Sequence, residues 1–317
     1  MLHEDPMPSA PAPNHLDPRG DPLAPSGLRA RHRALLLRLI WERREVSRAD
    51  LARESGMARS SISAIVADLL RTGLVHETRA GASRGGRRPI MLGFADDARS
   101  ILGFEVGATH ISGVLTNLRG RVLATIEEPF DARSNPDGTT RRIVELAASL
   151  RAEDAVSPLL GVGIALPSPV DPVTEGPLAS VLPRWSGLNV RGRLQTELGV
   201  PVRVDNDANA GALAELWWGE PSPGSIVFVK VATGIGAGLI LDGHIHRGHH
   251  GVAGELGHLS IDPNGPPCVC GANGCLNVVI GSPALLARAA ARRTHFPDSV
   301  LPTGELTVAD LVDTAKR

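Results

Sequence analysis

Gly257-His258, followed by Cys268-Val269-Cys270-Gly271-Ala272-Asn273-Gly274-Cys275, is the stretch on which the reading of this chain turns. It gathers one imidazole and the only three cysteines of the chain within eighteen positions. Three thiolates and one imidazole complete a tetrahedron with no open position. The set His258, Cys268, Cys270 and Cys275 therefore predicts a structural zinc and not a catalytic metal. Asn264, Gly265, Gly271 and Gly274 supply the turns such a loop requires. Cysteines this close together are poorly spaced for stapling a fold with disulfides. The competing reading is three unrelated buried thiols beside a core histidine, and it leaves their clustering without a cause.

Working outward from this loop, short apolar runs such as Ile101-Leu102-Gly103-Phe104 and Gly161-Val162-Gly163-Ile164-Ala165 alternate with helical spacing, as over 140–151. Strands interleaved with helices predict an α/β domain of layered sheets over residues 99–317. Within it, Val204-Asp205-Asn206-Asp207-Ala208-Asn209-Ala210 reads on its own as a polar strand-to-helix junction with an N-cap. The chain has 317 residues, 42% of them hydrophobic and 21% charged, so two or three folded units are expected. No apolar run reaches the length of a membrane span. The amino terminus carries Glu4, Asp5 and prolines where a signal peptide needs an apolar core, so a cytoplasmic protein without a membrane partner is expected.

The amino-terminal third differs in charge. Residues 27–93 hold fourteen Arg and six acids, 14 − 6 = +8, against a net charge of −1 for the whole chain, which leaves −9 elsewhere. A basic head on an acidic body fits a polyanion-binding module. Residues 1–26, rich in Pro and Asp without apolar periodicity, are expected to be a disordered leader. Residues 27–95 read as three helices and two extended segments around a Gly/Arg turn, the pattern of a winged helix-turn-helix. Leu35, Leu36, Leu39 and Ile40 are expected on one buried face, Ser47 caps a helix over 48–55, and Gly56 makes the turn. A recognition helix over 58–71 buries Ile62, Ile65, Val66, Leu69 and Leu70, and presents Arg59, Ser60, Ser61 and Ser63 to double-stranded DNA. Arg84, Arg87 and Arg88 form the basic tip of the wing.

Glu255-Leu256-Gly257-His258 with Cys268-x-Cys270-Gly271-x-x-Gly274-Cys275 resembles the signature of the ROK family of repressors and sugar kinases. Similar segments run from Ile101 to Cys275, and the module before them resembles that of the repressor branch, which includes xylose and N-acetylglucosamine regulators. The resemblance implies an actin-like ATPase (sugar kinase) fold preceded by the winged helix-turn-helix. It also implies a sugar or sugar-phosphate effector held by Asn206, Asp207, Glu255 and His258, and a homodimer or higher homo-oligomer on an operator. In the family's kinases the residue matching Asp207 is the general base, so an ATP-dependent sugar kinase is the alternative.

Departures weigh against that alternative. Glu105-Val106-Gly107-Ala108-Thr109-His110 replaces Asp-x-Gly-Gly-Thr-Lys, which leaves Gly107 and Thr109 as remnants of a phosphate turn. Thr233, Gly234 and Gly236 are the remnants of a second. Asn277 stands where the kinases carry a sugar-binding Glu, and Val181-Leu182-Pro183-Arg184-Trp185 replaces Asn-Leu-Pro-x-Trp. The end at Arg317 is expected to leave the carboxy-terminal lobe truncated. The expectation is a DNA-binding regulator, a repressor of carbohydrate uptake or catabolism genes, with structural zinc and without ATP or Mg.

Overall fold

The computed structural model describes residues 25–80, 88–107, 109–154, 157–178, 182–185, 187–220, 224–296 and 298–316. By their contacts these fall into two compact units. One runs to Leu102 and adds Val114–Thr125 and Ser149–Gly161; the other comprises Gly103–Gly113, Ile126–Ala148 and Val162–Arg317.

The first unit opens with α1 (Pro25–Arg43), β1 (Glu45–Ser47), α2 (Arg48–Ser55) and α3 (Arg59–Arg71), followed by β2 (Val75–Ala80) and β3 (Ile90–Phe94). Helix α1 begins two residues inside the expected leader, with Pro25 at its first position, where its missing N–H costs nothing. Residues 1–24 lie outside the described residues. Ser47 caps α2 through a reciprocal box: its hydroxyl accepts from the Asp50 amide at 3.2 Å, and its own amide donates to the Asp50 carboxylate at 3.4 Å. Gly56, at φ 68°, ends the helix in the left-handed conformation that a side chain resists. Helix α3 buries Ile62, Ile65, Val66 and Leu69, an i, i+3, i+4, i+7 stripe. Leu70 is only partly buried. The stripe packs with Leu36, Ile40, Leu51, Val75 and Leu92 into one core. Leu35 departs from expectation: it is 38% exposed, because a rotation of about 100° per residue carries it off the Leu36/Ile40 face. The strands pair antiparallel in the order β1-β3-β2.

Within this unit, side chains beyond residue 95 reach back to the helical module. Arg119 donates to the Trp41 carbonyl at 3.1 Å and to Asp96 at 2.8 Å, with its guanidinium 5.1 Å from the Trp41 ring centroid. Asn117 donates to Asp97 at 2.7 Å, a bond that with the Arg121 guanidinium holds the Asp97 carboxyl below its ordinary pKa. These contacts join residues 114–125 to the helical module.

Strands β4 (Ser100–Val106), β5 (His110–Asn117), β6 (Val122–Pro129), β7 (Leu159–Leu166) and β8 (Val202–Asn206) form a sheet in the order β6-β5-β4-β7-β8. β7 and β8 are parallel, with Ala165 opposite Asp205 and Leu166 opposite Asn206. Helices α4 (Pro136–Ala152) and α5 (Val190–Leu198) occupy the connections, and α6 (Asp207–Trp218) follows β8 without a break. A second, antiparallel sheet comprises β9 (Ile226–Val231), β10 (Ile235–Leu241) and β11 (His244–Ile245) in the order β11-β10-β9. Helix α6 packs on it through Ala212 and Leu216 against Ile240 and Ile245. Gly238 lies so close to the Ala208 carbonyl that no side chain fits between strand and helix. Helices α7 (Leu276–Ile280), α8 (Ser282–Arg293) and α9 (Val308–Ala315) complete the described chain. Among the described residues no helix is long and apolar enough to cross a membrane.

Candidate functional site

The chain between Leu256 and Cys275 folds back on itself. Ser260 bridges Cys275, Pro267 bridges Asn273, and the Cys268 amide donates to the Ala272 carbonyl at 2.8 Å. Gly274 takes φ 59° with the Asp262 carbonyl against its α-carbon, a place closed to any side chain. The ligand atoms of His258, Cys268, Cys270 and Cys275 all lie within 4.8 Å of one another. His258 Nδ1 is 3.5 Å from Cys268 Sγ, and the Cys270 and Cys275 sulfurs are 3.6 Å apart. A zinc–sulfur bond of about 2.3 Å implies tetrahedral edges of about 3.8 Å, so the donor set fits zinc. Burial and its cysteine neighbours push the Cys275 thiol up to about 12, whereas the Ala272 amide pulls Cys270 below its ordinary value. Holding several thiolates together is costly without a divalent cation at their centre.

His258 turns its other nitrogen, Nε2, toward Glu255 at 3.9 Å. Burial, and then the charge of Asp207, push the Glu255 carboxyl up to about 7. The β8–α6 junction supplies the remaining acids. Asn206 is the N-cap of α6: its Oδ1 accepts from the Ala208 and Asn209 amides at 2.9 and 3.1 Å, and its Nδ2 donates to the Ser168 carbonyl at 3.2 Å. Asp205 accepts from Arg247 through Nε at 3.1 Å and a terminal nitrogen at 2.5 Å, and from Asn209 Nδ2 at 3.1 Å. Asp207 accepts from the Ala208 amide at 2.7 Å with one oxygen and from Lys230 Nζ at 2.9 Å with the other. Lys230 also donates to Glu105 at 2.5 Å. Burial pulls the Lys230 pKa down, but the hydrogen bonds and charges of Asp207 and Glu105 outweigh it, leaving the ammonium more firmly protonated than usual.

Sequence reasoning named Asn206, Asp207, Glu255 and His258 and missed Asp205, Asn209, Lys230 and Arg247. The sequence signal for Lys230 is a cation interrupting the apolar strand Ile226-Val227-Phe228-Val229-Lys230-Val231. Of the phosphate-turn remnants, Gly107 and Thr109 lie between β4 and β5, and Thr233 and Gly234 form the β9–β10 turn. Gly236 faces Ala208 from β10. Asn277 accepts from the Ile235 amide at 2.6 Å, so it braces the second turn. Arg184 donates to the Ser134 carbonyl and Trp185 is buried; Val181 and Ala108 lie outside the described residues.

On the first unit, Arg59, Ser60, Ser61 and Ser63 are all exposed along α3, opposite its buried stripe. Glu42, Asp50, Glu54, Asp68 and Glu77 engage Arg38, Arg53, Arg43, Arg33, Arg71 and Arg48, so the surplus charge rests on other arginines, with Arg59 and Arg88 among the exposed ones. Arg84 and Arg87 lie outside the described residues.

The chain is 35% identical over 255 residues to the xylose repressor of Bacillus spizizenii, an alignment covering 80% of this chain and 66% of that protein. The chain thus spans about two thirds of the length of that curated relative. A solved ROK family transcriptional regulator, described as a homolog of the E. coli MLC protein, superposes with a TM-score of 0.78 at 29% identity, over 91% of this chain and 74% of that one. A ROK family glucokinase from Streptomyces griseus, solved with glucose and AMPPNP, superposes with a TM-score of 0.60 at 26% identity, over 68% and 71%. With its thiol loop, acid-lined α6 junction and actin-like sheets, and with the ROK family model matching residues 101–314, the chain belongs to the ROK family.

Proposed function

We propose that this protein is a cytoplasmic DNA-binding transcriptional regulator that represses carbohydrate uptake or catabolism genes and responds to a sugar or sugar phosphate. Residues 27–95 act as a winged helix-turn-helix, and a homodimer reads a palindromic operator. The observation that carries this reading is the exposed row Arg59, Ser60, Ser61 and Ser63 at the start of α3, above a fully packed apolar stripe. Short serines allow close approach to DNA, and the Arg59 fork suits a guanine edge or a phosphate. The likeness to a ROK transcriptional regulator over 91% of the chain and to a xylose repressor adds support. Two half-sites would lie one helical turn, about 34–36 Å, apart.

The effector reading rests on Asn206, Asp207, Glu255 and His258, with Asn206 also capping the helix that Asp207 begins. Zinc on His258 Nδ1 and the three thiolates would fix the loop and leave Nε2 directed at the ligand side. A ligand that prefers one arrangement of the domain couples to DNA affinity by about 1–3 kcal/mol. Phosphoryl transfer with Asp207 as base is disfavoured, because one of its oxygens already holds an ammonium.

Fluorescence anisotropy on duplexes from the regions flanking its own gene tests the proposal. Binding is expected to fall steeply between low and high salt, and Arg59→Ala is expected to weaken it by about 1–3 kcal/mol. Indifference to every duplex at low salt would overturn the reading, as would sugar-dependent ATP turnover by the same protein.

A further inference from the structure

Lys230 is the penultimate residue of β9, and its ammonium lies 2.5 Å from Glu105 near the end of β4 and 2.9 Å from Asp207 at the start of α6. The Lys230 and Asp207 side chains are 26% and 14% exposed, so this is not a loose surface pair. Two carboxylates from separate elements converging on one point create a seat for a cation, and the protein fills that seat itself. The adjoining turn is closed as well: the His110 imidazole lies against Gly107 where a side chain at that position would sit. Nearby, Asp205 is bound by Arg247 on one oxygen and by Asn209 and its own chain on the other, so its charge is also compensated from within.

We propose that Lys230 is the built-in cation of this site: it takes the place of a divalent metal between Glu105 and Asp207, holds Asp207 as a fixed hydrogen-bond acceptor, and makes polyol binding independent of metal. A ligand that brings its own magnesium, as a nucleotide does, finds that position taken. The ligand class rests on the sensing function proposed above; the exclusion of metal rests on the three side chains alone.

Manganese, titrated into the zinc-loaded full chain with the free ion read by electron paramagnetic resonance, tests this assignment. The parent protein is expected to show only weak, nonspecific uptake. Lys230→Ala is expected to gain one site at least about tenfold tighter, because two converging carboxylates then face water without a counter-ion. Adding Glu105→Gln to Lys230→Ala is expected to return uptake to the parental level. Should the alanine variant fold poorly, Lys230→Thr suits a strand and carries the same expectation. Parental binding as tight as the variant's, or no gain in a folded variant, overturns the proposal. DNA binding is expected to persist in every variant, so its loss in the parent would strike the regulatory reading and leave the metal result standing.

Discussion

The exposed polar row of α3 and the acid-lined junction of β8 and α6 are built in opposite ways. Arg59, Ser60, Ser61 and Ser63 sit within five positions of one helix, and their exposure follows from the burial of Ile62, Ile65, Val66 and Leu69 on its other side. The junction draws Glu105, Asp207 and Lys230 from three elements scattered along the chain. A surface laid out on one helix inherits its geometry from backbone periodicity. A charged cluster assembled across elements exists only once the sheets and α6 have packed.

The loop of His258 and the three thiols, whose four candidate ligands lie close together in sequence, gives the largest test of this contrast. Cys275→Ser is expected to reduce zinc content from one ion per chain to almost none, since structural zinc contributes about 10–16 kcal/mol of apparent binding energy in small zinc-binding peptides. Metal analysis with thermal unfolding would show it, together with early melting of the unit that carries Glu255. An unchanged zinc content would mean that Cys275 is not needed to hold the metal.

A smaller break falls on the first unit. Leu69→Ala, at a fully buried position, is expected to cost about 2–5 kcal/mol and to weaken DNA binding while zinc content stays intact. Chemical denaturation followed by far-ultraviolet circular dichroism measures it. Equal loss of zinc would show that the two regions do not stand independently.

The smallest change sharpens the comparison inside the junction. Asn206→Ala removes the cap on the Ala208 and Asn209 amides and is expected to cost about 1 kcal/mol of stability, read from the shift of a urea midpoint. Effector response should fall in this variant while operator affinity without effector stays unchanged. A loss of operator affinity would mean that the cap serves the amino-terminal module too.

Much of the local structure was legible. The Ser47 cap, the Gly56 turn, the α3 stripe and the thiol cluster all follow rules that act over a few residues. The Val204–Ala210 stretch could be read as a cap, as a ligand site, or as both; the structure places Asn206 in the cap and Asp207 on Lys230. Leu35 was misplaced because a run of leucines does not say which of two adjacent positions turns inward. The contacts of Arg119 with Trp41 and Asp96 join residues distant in sequence, so no local pattern announces them.

The amino-acid order by itself determined the three-helix module with its polar row, the four metal-ligand candidates and the capped start of α6. Hydrogen bonds between neighbours and helical periodicity act within a turn or two, so they are written directly in spacing. Only the tertiary structure decided that Lys230 neutralises Asp207, that Arg247 holds Asp205 and that Asn277 braces the turn at Ile235. Each of those contacts is worth its desolvation cost only where packing brings both partners out of water together, and no local pattern specifies that meeting.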